Sequence, residues 1–208
     1  MIEELVPATV TAVATRADLN TELFAEEVRA LGTAVDGRRR EFETGRACAR
    51  RALGRIGLPA VAVASGTRGE PLWPADVVGS ITHCARYRAC AVARTRDVRS
   101  LGIDAEPHAP LPAGVLATIA SADERRALAA HEAGVCWDRV LFSAKEAVFK
   151  AWYPLTGRGL EFEDAELRID PVGETFTARL LVDGPVAQLR GRWVVRDGLV
   201  ATAVVVAR

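Results

Sequence analysis

The segment from residue 135 to 154, "VCWDRVLFSAKEAVFKAWYP", constrains the fold of this chain most. Helical spacing gives it one apolar stripe, which consists of Trp137, Leu141, Ala144, Val148, Ala151 and Trp152. The opposite face combines aromatic and charged side chains, namely Phe142, Glu146, Phe149, Lys150 and Tyr153. Because so many aromatic rings are not suited to water, the sequence predicts a helix that is covered on both faces and ends at Pro154. The second cover is either the other half of the protein or a bound ligand.

Patterns in the first half of the chain indicate helices packed against a short sheet. The expected helices are 21–31 and 41–56, and the expected strands are 8–15, 60–65 and 77–83. Two further strands, 87–95 and 100–106, flank the polar turn "RDVR" and suggest an antiparallel hairpin.

The second half repeats this plan. Helical patterns fill 113–153, and strands are expected over 165–169, 175–182, 189–196 and 199–207. We therefore predict an α+β fold of two similar halves, residues 1–99 and 100–208, each with helices on a mostly antiparallel sheet.

The composition excludes some classes of protein but does not identify a single one. Lys plus Arg and Asp plus Glu balance at 27 each, so net charge does not point to nucleic acid. No apolar run is long enough for a membrane span, and the first residues are acidic rather than basic. The cysteines, Cys48, Cys84, Cys90 and Cys136, form no CxxC pair. These features predict a cytoplasmic protein with reduced thiols.

Two carboxylates follow an apolar run in "LGIDAEPH". If 100–106 is a strand, alternation places Asp104 and Glu106 on the same face as Gly102. They are either two exposed acids at a strand end or oxygen ligands for a hard cation such as Mg²⁺. Gly102 beside them would leave backbone room for a ligand.

Glu146 and Lys150 also allow two interpretations. They are spaced for an ion pair within the helix, or they supply a third carboxylate for the metal and a lysine for an anion. A capping box from Ser143 to Glu146 is excluded if the helix starts near Trp137, because Ser143 then lies inside it.

Cationic and hydroxyl side chains upstream are candidates for binding phosphate. The arginine-rich segment "GRRREFETGRACARR" offers Arg38, Arg46 and Arg50, and a turn offers Arg68. The alternative is a solvated helix face. In "SITHC", Thr82 and His83 are either phosphate contacts or structural residues. The chain has neither a Walker loop nor a GxGxxG motif.

Four motifs in one order, "GEPLWP", "GSITHC", "GIDAE" and "FSAKEAVFKAW", resemble the 4′-phosphopantetheinyl transferases of the surfactin and enterobactin synthetase type. The downstream "FEDAEL" fits the actinobacterial branch. These enzymes move the phosphopantetheine arm of coenzyme A to a serine of an acyl or peptidyl carrier protein and leave 3′,5′-ADP. The family fold is a pseudo-dimer of two α+β halves with the coenzyme between them.

The resemblance assigns roles to residues of this chain. Mg²⁺, or Mn²⁺ in its place, would be held by Asp104, Glu106 and Glu146, and Glu146 would also act as the base. The coenzyme would be bound by Arg38, Arg46, Arg68, Thr82, His83, Lys145, Lys150 and Phe149, with Phe142 beside Phe149 along the pantetheine arm. Lys150 would be catalytic as well.

The expected partners are coenzyme A and apo carrier proteins of siderophore, polyketide or fatty-acid pathways, with no nucleic acid and no membrane. A basic rim at Arg86 and Arg88 would dock the carrier. Because one chain supplies both halves, a monomer is expected. The competing interpretations are a metal-dependent phosphohydrolase and a non-catalytic module that binds a carrier protein or the coenzyme.

Overall fold

Two antiparallel sheets form the framework of the protein. The computed structural model describes residues 1–32, 34–84 and 86–208. The first sheet has the order β1-β3-β2, with β1 (Val10–Thr15), β2 (Val77–Cys84) and β3 (Tyr87–Arg94). The second sheet has the order β4-β8-β7-β6-β5, with β4 (Val98–Pro107), β5 (Ala165–Asp170), β6 (Thr175–Leu180), β7 (Gln188–Arg196) and β8 (Leu199–Ala207).

Helices accompany both sheets, as the sequence predicts for an α+β fold. They are α1 (Ile2–Leu5), α2 (Ala25–Leu31), α3 (Asp36–Arg55), α4 (Val115–Ile119), α5 (Ala122–Ala129) and α6 (Trp137–Thr156), with a 3-10 turn at Phe162–Asp164. None of the helices in the described ranges has the length and apolarity needed to cross a lipid bilayer. The α+β prediction is confirmed.

The predicted hairpin between 87–95 and 100–106 is wrong. Strand β3 already has a partner on each edge, β1 and β2, so neither edge can accept β4. The chain instead crosses into the second sheet, where β4 pairs with β8. Local turn residues indicated a reversal here, but the pairing partner of β4 lies at the other end of the sequence.

The strand predicted over 60–65 is also wrong. Side chains from two helices form hydrogen bonds with the backbone of Val63. Arg46 donates to the Val63 carbonyl at 2.6 Å, and the Val63 N–H donates to Glu27 at 2.9 Å. A single bridge between Ser65 and Pro71 is the only pairing the segment forms in the described chain.

Helix boundaries differ from the predicted ones where local signals were misleading. The helix expected over 21–31 begins at Ala25, the one expected over 41–56 begins at Asp36, and the region 113–153 contains three helices. Pro154 does not end α6. The helix continues to Thr156 and is terminated by Gly157, whose φ of 65° is left-handed.

One hydrophobic core spans the two sheets. Side chains of β1 and β3 meet side chains of β4 and β8, and Ile2 and Leu5 of α1 cover the cluster. The outer face of the first sheet packs against α3, and the outer face of the second sheet packs against α6. The apolar stripe predicted on α6 is buried in this second contact, except for Trp137, which is partly buried.

Helix α6 packs against β4 at Gly102, where the backbone of the helix contacts the backbone of the strand. A Cβ on Gly102 would stand 2.0 Å from the Ala147 carbonyl oxygen and 2.6 Å from the Ala151 nitrogen. The Ser100 hydroxyl donates to the Ala151 carbonyl at 2.5 Å and fixes the register. The space beside Gly102 is therefore filled by the helix, whereas the sequence suggested a ligand there.

We expect Gly102→Ala to lower the free energy of unfolding by about 1–3 kcal/mol or more, because the helix must move off the strand. Gly37→Ala is the matched control, since a Cβ there meets nothing within 4 Å. That control should be neutral or stabilising by about 0.5–1 kcal/mol. Urea unfolding of both variants measures the difference. Equal stabilities would contradict the close contact.

Candidate active site

A cleft of about 550 Å³ separates the two halves. The first half lines it with the turn around Arg68, with Trp73 and with β2, and the second half lines it with Phe149, Lys150 and Tyr153 of α6. An adjoining cavity of about 310 Å³ shares Arg68 and Phe149 and extends to Glu146. Most of the second face of α6 thus lines cavities, with the first half on the opposite side of the cleft, and both covers that the sequence allowed stay open.

Hydroxyl groups join the two sheets at the bottom of this cleft. The Ile103 N–H donates to Ser80 Oγ at 3.1 Å, and the Ala105 N–H donates to Thr82 Oγ1 at 3.0 Å. Ser80 and Thr82 alternate along the edge strand β2, as Ile103 and Ala105 do along the edge strand β4. The hydroxyl groups of β2 therefore accept the N–H groups of β4 that backbone carbonyls would accept in a continuous sheet. The two sheets meet edge to edge but remain separate.

Asp104 lies at the centre of the site and is 4% exposed. Its Oδ1 accepts Lys150 Nζ at 2.7 Å and Thr82 Oγ1 at 3.2 Å. Its Oδ2 is buried and has no hydrogen-bond partner among the described residues. An uncompensated carboxylate oxygen is costly to bury, so this atom points to a cation or donor that arrives with a ligand.

Glu106 is on the same face of β4, as predicted, and pairs with an arginine of α6. Arg139 NH1 donates to Glu106 Oε2 at 2.9 Å. Burial, followed by the charge of Asp104, raises the pKa of Glu106 in spite of this arginine.

Glu146 faces the smaller cavity from α6. Burial raises its pKa, with a smaller contribution from Asp104, whereas Lys150 acts in the opposite direction. The intrahelical pair with Lys150, one of the two interpretations of the sequence, does not form, because the ammonium is bonded to Asp104 and to the Ile103 carbonyl. Within the part of the chain that the structure describes, the Glu146 carboxylate has no ion-pair partner.

The three carboxylates do not form a closed metal cage. Across residues 1–32, 34–84 and 86–208, no group of three or more His, Cys, Asp or Glu side chains is close enough to hold a metal ion. The donor chemistry nevertheless fits a hard divalent cation, since Asp104 Oδ2 is unpartnered and Asp104 raises the pKa of both Glu106 and Glu146. Lys150 and Arg139 supply the balancing positive charge in this state.

Arg38 and His83 meet at the rim of the site. Arg38 NH1 lies 2.8 Å from His83 Nε2, and His83 Nδ1 lies 3.5 Å from Glu41. Because an arginine can only donate hydrogen bonds, His83 Nε2 carries no proton and accepts the bond. Burial, with the charges of Arg38 and Lys150, lowers the pKa of His83, and Glu41 opposes this. Both side chains remain accessible to an anionic ligand.

The other predicted arginines have different surroundings. Arg46 is 5% exposed and holds the 63–65 loop through the Val63 carbonyl and Ser65 Oγ. Desolvation lowers its pKa to about 10. Arg50 forms a buried pair with Glu27. In this structure both arginines organise the first half from within, and their contact with phosphate stays a prediction.

Two more predicted coenzyme contacts are buried structural groups. The Lys145 ammonium donates to Glu124 and to the Phe162 and Ala165 carbonyls, so all three of its donors are used inside the protein. Thr82 is 2% exposed and holds Asp104 and the Ala105 N–H. Both side chains are engaged within the protein, and their contact with the coenzyme stays a prediction.

Two further predictions about the surroundings need correction. Phe142 packs against Phe162, with ring centroids 6.0 Å apart, and is not among the residues that line the cleft. Arg88, expected on a basic rim, is 9% exposed and pairs with Asp18 at 3.1 Å. Arg86 is exposed.

Sequence reasoning missed residues that shape the cleft. Glu70 folds back over Gly66, accepts the Arg68 N–H at 2.9 Å and lies 3.4 Å from the Tyr153 hydroxyl, so it connects the turn to α6. Trp73 donates to the Gly79 carbonyl at 2.9 Å, and a Cβ on Gly79 would collide with its ring. Gly66 and Gly79 were the sequence features that could have indicated these close contacts.

Comparisons with known proteins cover most of the chain. A family model described as the 4′-phosphopantetheinyl transferase N-terminal domain matches residues 26–93, and one for the 4′-phosphopantetheinyl transferase superfamily matches residues 100–204. The chain is 56% identical over 194 residues to 4′-phosphopantetheinyl transferase Svp of Streptomyces mobaraensis, covering 89% of this chain and 79% of Svp.

Two further relatives have the same type of name. 4′-Phosphopantetheinyl transferase PptT of Mycobacterium tuberculosis is 49% identical over 191 residues, which is 86% of this chain and 84% of PptT. 4′-Phosphopantetheinyl transferase Npt of Nocardia iowensis is 44% identical over 220 residues, with 98% of this chain and 99% of Npt covered.

We expect Thr82→Val to cost about 1–3 kcal/mol of stability, because it leaves the buried Ala105 N–H without an acceptor. Thr82→Ser retains the hydroxyl and serves as the matched control. Urea unfolding and amide exchange at Ala105 provide the measurement. A valine variant as stable as the serine variant would show that the hydroxyl does not hold the two strands together.

Proposed function

The chain belongs to the 4′-phosphopantetheinyl transferase superfamily, and we propose that it transfers the 4′-phosphopantetheine arm of coenzyme A to a serine of an apo acyl or peptidyl carrier protein, with a divalent metal and release of 3′,5′-ADP. The observation that supports this most is the cleft between the halves. Cationic and carboxylate side chains converge at its base, and aromatic side chains form its walls.

Binding of the coenzyme is assigned to Lys150 and Arg68, which line the cleft, and to Arg38 and His83, which are exposed at the end of β2. Lys150, Arg68, Arg38 and His83 supply donors to phosphate oxygens, the arginines through paired N–H groups. Phe149, with Trp73 and Tyr153, forms the apolar wall for the pantetheine arm. Arg46, Thr82 and Lys145 contribute by holding these elements in place.

A metal would be held by Asp104, Glu106 and Glu146. When bound, Mg²⁺ or Mn²⁺ supplies positive charge to the pyrophosphate oxygens, where negative charge accumulates during transfer. The unpartnered Oδ2 of Asp104 is the oxygen best prepared for such a ligand.

Transfer requires the carrier serine Oγ to form a bond to the phosphorus nearest the pantetheine while the bond to the leaving 3′,5′-ADP oxygen breaks. Lys150 and Arg68 orient the phosphates for this displacement, and their charge offsets the charge on the leaving group. We assign the serine proton to Glu146, directly or through a water. Burial raises the pKa of this carboxyl when no metal is bound, and a cation on Glu146 would act in the opposite direction, so the assignment rests on the position of Glu146 in the cavity.

The remaining assignments rest on the architecture. One chain supplies both walls of the cleft, which favours a monomer in which residues 1–99 and 100–208 are the two halves. The four cysteines are free, as suits a reducing cytoplasm. Arg86, which is exposed in the turn between β2 and β3, is assigned to the docking of an acidic carrier.

The test is to incubate the protein with an apo carrier, coenzyme A and Mg²⁺ and to weigh the carrier. We expect a gain of one phosphopantetheine group, prevented by EDTA. Asp104→Asn and Glu146→Gln should each slow the transfer about 10²–10³-fold. Asp123→Asn is the control, because Asp123 is exposed on α5 and pairs only with Arg126 in the described chain. Loss of coenzyme A without a gain in carrier mass would indicate a phosphohydrolase and contradict the proposal.

A further inference from the structure

Arg139, at the start of α6, uses three different nitrogens on three acceptors. NH1 donates to Glu106 Oε2 at 2.9 Å, Nε to the Ala109 carbonyl at 2.9 Å, and NH2 to the Pro110 carbonyl at 3.0 Å. Its side chain is only 14% exposed. The guanidinium plane is therefore fixed relative to the chain that follows β4.

Neighbouring contacts hold the same region rigidly. The Leu111 N–H donates to Asp138 at 2.8 Å, and the Cys136 N–H donates to His108 Nε2 at 2.9 Å. The first turn of α6 is thus tied to residues 106–111 by side chains from both segments. Arg139 is the member of this group that reaches a carboxylate of the site.

The geometry points to Arg139 as the positioning residue for Glu106: it holds this carboxylate where it can ligate the divalent metal. The inference rests on the proposed function, because that function makes Glu106 a ligand. Asp104 and Glu106 carry like charges on one strand face, and repulsion would turn an unrestrained Glu106 away from the site. The hydrogen bond to Oε2 opposes that rotation and leaves Oε1 available.

Shape matters here as well as charge. A flat guanidinium satisfies Glu106 and two carbonyls that surround it, whereas an ammonium on a flexible stem cannot hold all three in this arrangement. Second partners of this kind typically contribute a factor of about 10–100 to metal affinity. The lysine variant therefore separates positioning from charge.

The test is a titration of Mn²⁺ into the full chain with coenzyme A and no carrier, with free Mn²⁺ counted by electron paramagnetic resonance. We expect Arg139→Met to weaken Mn²⁺ binding about 10–100-fold and Arg139→Lys to weaken it as well. Arg94→Met is the matched control, since Arg94 is also half-buried and donates to a carbonyl, that of Ile56, away from the site. In a Glu106→Gln background, Arg139→Met should have no further effect.

Three results would overturn the inference. Tighter Mn²⁺ binding by Arg139→Met, with wild-type binding by Arg139→Lys, would mean that only charge matters. Wild-type binding by both variants would make Arg139 a purely structural residue. Wild-type binding by Glu106→Gln would remove Glu106 from the metal site, even where carrier modification is intact. Failure of the proposed function is distinct, since the wild-type protein would then leave the carrier mass unchanged.

Discussion

Two hydroxyl groups on β2 determine how the halves of this protein meet. Ser80 and Thr82 accept the N–H groups of Ile103 and Ala105, so the edges of two sheets are joined without a continuous ladder. Thr82 also donates to Asp104, which couples the junction directly to the central carboxylate. Because α6 lies on β4 at Gly102, fixing β4 against β2 also fixes the aromatic face of α6 across the cleft.

The charges of the site support the proposal that a metal binds together with an anionic substrate. Three carboxylates, Asp104, Glu106 and Glu146, share the site with two cations, Lys150 and Arg139. The three carboxylates would repel a pyrophosphate that came close to them, and a divalent cation between them would offset that repulsion. Lys150 is bonded to Asp104 in this state and has the length to turn toward a phosphate once the metal compensates Asp104.

The sequence predicts the site better than it predicts the contacts within it. Strand alternation predicts that Asp104 and Glu106 share a face, and helical spacing predicts that Phe149 and Lys150 share the face that lines the cleft. Both predictions succeed because they depend only on local geometry. Strand pairing of β4 depends on β8, far along the chain, and could not be inferred from the turn beside it. Lys145 and Lys150 look equivalent in the motif, yet Glu124 on another helix makes Lys145 an interior residue. The role of Arg139 could not be predicted from helical spacing, since it depends on Glu106 and on backbone carbonyls in the segment that follows β4.

The central claim is that one metal and the coenzyme pyrophosphate bind together where the halves meet. The most direct measurement is an anomalous difference map from crystals of the protein grown with coenzyme A and Mn²⁺. We expect a single strong peak within bonding distance of Asp104 Oδ2, near Glu106 and Glu146, with Lys150 turned from Asp104 to a phosphate. A peak elsewhere, or coenzyme bound outside the cleft while Lys150 stays on Asp104, would contradict it.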